Sequence, residues 1–519
     1  MKLATSSMIK EIDAFCEKSL GIPTRTLMKK AGEAIADAVR KSVPAGSRIV
    51  ILAGKGNNGG DGYAAATVLL SDYKIRIYDI FSAGQKTEEG KHFLSEYLSL
   101  GGEVVGYDGK PDTLADIRSA DCIIDAIFGT GFSGNTPESL RALAITVREA
   151  VGAHKIAVDV PLGINPDNGS VNEFATAVSA TVALSFIKPG IISYPARSSV
   201  GEIIYSGLGI PENECERAFE FRYNMLDARW ACESMPKREA NSNKGTFGKL
   251  LLITGSDKYR GAAHLSVEAA LRSGVGLVSF VGCESLVREL SAKYPEVIYK
   301  DRAIDSSLTD EDIRELVALS SRHSATLVGS GSDTTDGLLR LTLALLASEG
   351  GALILDADAI NVLAELGEEG IAAIRRSQRT VILTPHPLEY ARLSMNDVST
   401  VQQHRLEVAE RFAAENRVVL VLKGAGTVIT DGVSVHINIS GSSALAKAGS
   451  GDVLAGALSG LVATGGTDAL TSSALAVFIH AVAGERLASE FSTYGVTPSD
   501  LPKEMARVMK RIEDGTLGE

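Results

Sequence analysis

Leu445–Gly456, LAKAGSGDVLAG, is the stretch from which the rest of the chain is read. Small residues from Ala448 to Ser450 lead into Gly451 and Asp452, and an apolar run follows at helical spacing (Val453, Leu454, Ala455, Ala457, Leu458). The pattern predicts a loop that opens a buried helix. The backbone N–H groups of Ser450, Gly451 and Asp452 are then expected among the unpaired donors of a helix N-terminus. A phosphate is favoured there by hydrogen bonding and by the helix dipole. Glycine at 449 and 451 lets the backbone approach such an anion. Asp452 is placed to take a proton from a substrate hydroxyl. The plainer reading is a glycine-rich turn in which Asp452 caps the helix.

The preceding residues repeat one pattern. Apolar segments at Lys249–Ser256, Gly276–Gly282, Ala325–Gly329, Ala352–Leu355, Val381–Leu383 and Val418–Leu422 read as strands. Most run into polar or glycine-rich loops: GSGSD (Gly329–Asp333), Asp356-Ala357-Asp358, TPHPLEY (Thr384–Tyr390) and KGAGT (Lys423–Thr427). Parallel α/β sheets bind ligands beyond the carboxyl ends of their strands, so these loops are expected to share one site. Lys423 with the backbone of Gly424, Ala425 and Gly426, and the Thr427 hydroxyl, suits nucleotide phosphates or ribose. His386, rigidly aimed between two prolines, reads either as a hydrogen-bond partner for a substrate carboxamide or phosphate or as a structural residue. Asp356 and Asp358 are read either as caps of a helix at Ala359–Leu366 or as facing substrate.

The N-terminal half repeats the alternation. Helices are expected at 7–19 and 24–41, and strands at Arg48–Ala53, Lys74–Ile80, Asp121–Phe128, Lys155–Val160 and Thr181–Phe186. The first strand enters GKGNNGGDG (Gly54–Gly62), with a small-residue helix expected from Tyr63. A strand, a Gly/Asn-rich turn and a helix form a diphosphate-binding arrangement. Asp125 and Asp159 each lie near a strand end, beside the loops DAIFGTGFSGN (Asp125–Asn135) and DVPLGIN (Asp159–Asn165).

At 519 residues, two domains are expected, and 211–245 reads as the linker, with the boundary near 220: domains 1–220 and 221–519. A hydrophobic content of 45% with 52 glycines and 15 prolines suits an α/β protein with many tight turns. A net charge of −12 disfavours a nucleic-acid partner. The five cysteines are scattered, without a CxxC pair, which points to a reducing compartment. No stretch has the ~20 apolar residues of a membrane span, and the N-terminus lacks a signal-peptide core. The expectation is a cytoplasmic protein with no membrane partner.

GIPTRTLMKKAG (Gly21–Gly32), GKGNNGGDG, DAIFGTGFSGN and VDVPLGIN together resemble the NAD(P)H-hydrate epimerase family, over roughly the first 215 residues. The resemblance implies a Rossmann-like doubly wound sheet. It implies substrate contacts from Asn57, Asn58, Gly59, Gly60, Asp61, Gly129, Thr130, Gly131, Phe132, Ser133, Gly134, Asn135 and Asp159, with Asp159 also catalytic. It implies a potassium ion on Asn58, Asp125 and position 162, where Leu162 stands in place of the family's serine. Lys29 stands where that family has glutamate.

KGTFG (Lys244–Gly248), GAAHLSVEAALRSGVGLV (Gly261–Val278), LDADAIN (Leu355–Asn361), LTPHPLE (Leu383–Glu389), LKGAGT and AGSGDVLAG resemble the ADP-dependent NAD(P)H-hydrate dehydratases, within the ribokinase-like superfamily, over about 225–510. This implies a ribokinase-like α/β/α domain. Gly331, His386 and Asp452 would touch substrate, Lys423–Thr427 with Ser450 and Gly451 would hold ADP, magnesium would accompany the nucleotide, and Asp452 would be catalytic. The two resemblances imply a bifunctional enzyme acting on NADHX and NADPHX, and related proteins imply a homo-oligomer. A vitamin or sugar kinase, and a dehydratase joined to a degenerate N-terminal scaffold, are the alternatives.

Overall fold

The computed structural model describes residues 1–131 and 136–518. The chain separates into two compact units, Lys2–Tyr223 and the residues from Asn224 onward.

In the first unit, α1 (Ser6–Lys18) and α2 (Thr24–Ser42) precede the sheet, and α3 (Asn57–Leu69) follows its first strand. Parallel strands β1 (Arg48–Ala53), β2 (Lys74–Asp79), β3 (Val104–Gly106), β4 (Cys122–Ala126), β5 (His154–Val158), β6 (Ala180–Leu184) and β7 (Glu202–Ser206) lie in the order β3-β2-β1-β4-β5-β6-β7. The chain runs outward from β1 to β3, then starts again beside β1 with β4. The crevice at that reversal lies between the β1 and β4 loops. The central strands are apolar on both faces because helices cover both. This is the expected Rossmann-like doubly wound sheet.

Helix α3 starts at Asn57, not at Tyr63. The NNGGDG run has poor helix propensity, yet tertiary packing fixes it as helix. A Cβ on Gly59 would lie 2.0 Å from the Gly54 carbonyl oxygen, so glycine alone lets α3 sit this close to the end of β1. The expected phosphate-binding turn is therefore the first turn of the helix itself.

In the second unit, α4 (Arg260–Arg272), α5 (Pro387–Ser394), α6 (Ser450–Thr464) and α7 (Ala469–Gly495) accompany strands β8 (Lys249–Ile253), β9 (Leu277–Gly282), β10 (Ile298–Asp301), β11 (Ala325–Val328), β12 (Ala352–Leu355), β13 (Val381–Leu383), β14 (Val419–Leu422), β15 (Thr427–Thr430) and β16 (Val435–Asn438). Their order is β16-β15-β14-β13-β12-β11-β8-β9-β10. Strands β8 to β14 are parallel, and β15 and β16 continue the sheet antiparallel. Thr427 thus opens a strand as well as closing the KGAGT loop. The helix predicted from AGSGDVLAG is α6. It packs against α4 so closely that a Cβ on Gly456 would fall 2.3 Å from the Ser266 carbonyl oxygen. The expected linker is also structured, with a helix at Glu212–Ala218, a strand at Tyr223–Leu226 and a helix at Ala228–Ser234.

Among the described residues no helix is long and apolar enough to cross a membrane, and all five cysteines are free.

Candidate functional site

Each unit gathers its polar loops at one end of its sheet. In the second unit, the centre is a buried carboxylate the sequence left ambiguous. Asp356 does not cap the next helix. Its Oδ1 accepts from Lys423 Nζ (3.0 Å) and Thr384 Oγ1 (2.7 Å), and its Oδ2 from Ser330 Oγ (2.8 Å). Asp358 likewise leaves its own helix end uncapped and accepts from the Asp333 N–H (2.9 Å). Lys423 is thereby held beside α6: a Cβ on Gly451 would stand 3.6 Å from its Nζ. Asp356 and Glu389 keep the Lys423 ammonium protonated against the penalty of its burial.

Gly449 precedes α6 at φ +100°, where an L side chain is disfavoured, and a Cβ there would also strike Leu265. Contrary to expectation, the Ser450 N–H is satisfied by the Lys447 carbonyl (3.2 Å), because the chain tightens into a turn just before the helix. Gly451 and Asp452 remain as first-turn donors without an intrahelical acceptor. The Ser450 hydroxyl lies 3.2 Å from Nε2 of His480, a buried α7 histidine that burial pushes down to about 4. Asp452 itself is half-buried, and its carboxyl is pushed up to about 7, first by burial and then by the charge of Asp356, with Lys423 opposing.

His386 is engaged locally. Its Nδ1 accepts the Leu388 and Glu389 N–H groups (3.1 and 3.2 Å), its own N–H donates to Glu389 Oε2 (2.7 Å), and Nε2 lies 3.2 Å from Glu389 Oε1. The rigidity read from Pro-His-Pro is thus that of a capping box at the start of α5. The Thr427 hydroxyl donates to the Gly424 carbonyl (2.9 Å) and so braces the KGAGT loop. Gly331 takes φ +62° close against Ala262.

In the first unit, a cavity of about 380 Å³ opens at the reversal point between β1 and β4. Asn57, Asn58, Asp61, Gly129, Thr130, Gly131 and Asp159 line it, bringing together three loops that are far apart in sequence. Gly59 and Gly60 lie in the first turn of α3 beneath it. Phe132, Ser133, Gly134 and Asn135 lie outside the described residues. Asp159 sits at φ +66°, a strained conformation for aspartate. It is held there by Lys188, whose buried ammonium donates to its Oδ1 and to the Leu184 carbonyl (2.8 Å), and by the Leu184 N–H (3.2 Å). Nothing in the sequence reading pointed to Lys188, which stands 29 residues from its partner. Asp13, from α1, also lines the cavity and was missed. Its signal was legible: it interrupts the buried stripe Ile9, Ile12, Cys16 with a carboxylate.

Asp125 is buried at the end of β4. Its oxygens accept the Ile127 and Leu162 N–H groups (3.2 and 2.7 Å), and burial pushes its carboxyl up to about 6. No cationic side chain among the described residues pairs with it. Leu162 supplies an N–H to Asp125, and its side chain packs in the apolar core, so position 162 offers no side-chain oxygen. Asn58 donates from Nδ2 to the Phe128 carbonyl (3.0 Å).

Residues 250–507 match the family model of NAD(P)H-hydrate dehydratase, and residues 24–190 match that of the YjeF-related protein N-terminus. The bifunctional NAD(P)H-hydrate repair enzyme Nnr of Moorella thermoacetica is 31% identical over 99% of this chain and 98% of its own length. The chain belongs to the bifunctional NAD(P)H-hydrate repair enzymes. The member from Pyrobaculum aerophilum is 32% identical over 95% of each chain. A solved ADP/ATP-dependent NAD(P)H-hydrate dehydratase from Bacillus subtilis, co-crystallized with ATP/Mg2+, is similar over 55% of this chain and 98% of that chain, at 30% identity and a TM-score of 0.48. The two matched segments fall one in each unit, and the kinase alternative gains no support from relatives matched across both.

Proposed function

We propose that the chain restores NADHX and NADPHX to the working cofactors in two steps, one in each unit. At the cavity of the first unit, the R and S hydrates interconvert. The ring nitrogen's lone pair expels the C6 hydroxyl, and water returns to either face. Asn57, Asn58, the start of α3 and the Gly129–Gly131 loop hold the dinucleotide, the helix N-terminus serving its phosphates. Asp159, fixed by Lys188, faces the reacting ring.

At the second site, the S hydrate is dehydrated at the expense of ADP. Asp452 takes the proton of the C6 hydroxyl. That oxygen attacks the terminal phosphorus of ADP, the bond to the bridging oxygen breaks, and AMP leaves. The C6–O bond then cleaves to release phosphate, and loss of a proton from C5 restores the dihydronicotinamide. Lys423 and the Gly451 and Asp452 N–H groups stabilise charge on the moving phosphoryl group, which is most of what such a transfer requires. Gly424–Thr427 and Ser450 shape the nucleotide cradle, and Gly331 and His386 border the substrate. The observation that carries this reading is the convergence of an ammonium, a helix start and a half-buried carboxyl at one point.

A potassium ion suits Asn58 and Asp125, since a buried carboxylate without a cationic partner favours such an ion. Bound there, potassium would neutralise Asp125 and brace the substrate loops. Magnesium would arrive with the nucleotide. Among the described residues no group of three or more acidic, histidine or cysteine side chains offers it a site of its own. The reading further includes small-molecule partners only, a homo-oligomer, and the cytoplasm, in keeping with free cysteines and a net charge of −12.

The test uses a mixture of R and S hydrates with ADP. Complete return of reduced-cofactor absorbance, faster than spontaneous epimerisation, is expected. A stop at the S fraction would leave dehydration alone, and no return would refute both steps. The pH dependence is a second check. A base with its carboxyl near 7 works only when ionised. Below pH 7, kcat/KM for dehydration of the S hydrate is therefore expected to fall about tenfold per pH unit, and above it to level off.

A further inference from the structure

Three carboxyl groups and three ammonium groups line the cavity of the first unit: Asp13 from α1, Asp61 from α3 and Asp159 after β5, with Lys10, Lys55 and, after β6, Lys188. They are not equivalent. Asp159 is engaged by Lys188 and the Leu184 N–H. Asp13 and Asp61 make no hydrogen bond or ion pair among the described residues, and both open on the cavity from different helices. Ile9, Leu27, Met28 and Leu184 form apolar wall around them.

Of these ammonium groups only Lys188 acts on Asp13 and Asp61, and it is already engaged by Asp159, so a proton is retained between the free pair. Burial is the main cause that raises both, Asp13 to about 6 and Asp61 well above its ordinary value. The Asp159 charge adds to each, and Lys188 opposes it. Cys16, one turn on along α1, and Lys10 and Lys55 on the cavity wall complete the titratable groups nearby. Asp13 also lies ahead of the segment matched to the family model, 24–190.

We propose that Asp13 and Asp61 are the two proton carriers of the epimerisation, one serving each face of the reduced ring at C6. The proposal rests on the epimerase reading of this unit. The protonated carboxyl gives its proton to the departing hydroxyl. The C6–O bond breaks with its electron pair going to oxygen, water is released, and the ring nitrogen's lone pair forms the N1–C6 double bond. Water adds to the opposite face, forming a new C6–O bond and returning the pair to nitrogen. Its surplus proton passes to the other carboxylate. One proton has crossed the cavity, and the reverse conversion carries it back.

The full chain carrying Asp13→Asn, and separately Asp61→Asn, is assayed with purified R and S hydrates without ADP. Interconversion is expected to fall about 10²–10⁴-fold in each, while ADP-dependent dehydration of the S hydrate in the same chain is unchanged. A merely structural role is separated by isotope. With one carboxyl left, the hydroxyl of one epimer is still expected to exchange with ¹⁸O-labelled water, with retention of configuration. Loss of exchange along with inversion for both epimers, or interconversion at the wild-type rate, would overturn the assignment. If Asp13→Asn does not fold, Asp13→Glu carries the test: its rate–pH profile must shift, and an unmoved profile refutes the proposal. A wild-type chain that interconverts nothing would instead refute the epimerase reading.

Discussion

Replacing Asp452 by Asn is expected to slow ADP-dependent dehydration about 10²–10⁴-fold, the usual worth of a positioned general base. Asparagine keeps the shape of the side chain and the start of α6 but cannot accept the hydroxyl proton. The same change is expected to stabilise the fold above neutral pH. The Asp452 carboxyl stands near 7 in the folded chain, against 3.8 as its ordinary value. Between those limits the folded state binds more protons than the unfolded one, so this group makes stability fall as pH rises from about 4 to about 7. Asp452→Asn removes that slope. Thermal unfolding should show the variant above the wild type at pH 8 and the two together near pH 4. Lost activity with lowered stability at pH 8 would mean that Asp452 is structural. Retained activity would remove it from the reaction.

The second large effect is expected at Lys188. Its side chain is 1% exposed and that of Asp159 is 9% exposed, so the pair is almost wholly out of water. Lys188→Met leaves Asp159 charged without its partner, beside Asp13 and Asp61. Stranding one member of a buried pair costs about 3–5 kcal/mol, and epimerisation should be lost with it. Lowering the pH should recover part of the stability, because protonating the carboxyls removes the uncompensated charge. The double variant Lys188→Met with Asp159→Asn should recover much of it at neutral pH. The only tryptophan, Trp230, lies in the other unit, so its fluorescence does not follow this one. Amide exchange in β5 and β6 does. Unchanged protection there in Lys188→Met would contradict the role given to the pair.

What the sequence made legible follows from the range of the forces involved. Apolar strands followed by glycine and aspartate were readable because a doubly wound sheet covered on both faces requires them. The eleven strands that pattern predicted, and the α6 start at residue 450, stand where it put them within a few residues, whereas Glu202–Ser206, Ile298–Asp301, Thr427–Thr430 and Val435–Asn438 were not anticipated. The start of α3 was not readable. Six residues of low helix propensity are held helical by contact with β1, and local sequence does not record that contact. The short strand Val104–Gly106 carries too few residues for a period to register. Ion pairs were least legible. Lys188 meets Asp159 across 29 residues and Lys423 meets Asp356 across 67, and each was found only when the chain was folded. For His386 the rigid setting was legible in Pro-His-Pro, and its source, a local capping box with Glu389, was not. Asp13 could have been found, since a carboxylate on a buried helical stripe needs a reason.

Attack of the C6 hydroxyl oxygen on ADP at the start of α6 is the step on which the chemistry turns. The most direct measurement labels that oxygen. S hydrate bearing ¹⁸O at C6 is turned over with ADP by the wild-type chain, and the released phosphate is analysed by mass. One ¹⁸O per phosphate, formed in step with AMP, is the predicted result. Unlabelled phosphate, with the ¹⁸O recovered in water, would show that the hydroxyl leaves without phosphorylation and would contradict the mechanism.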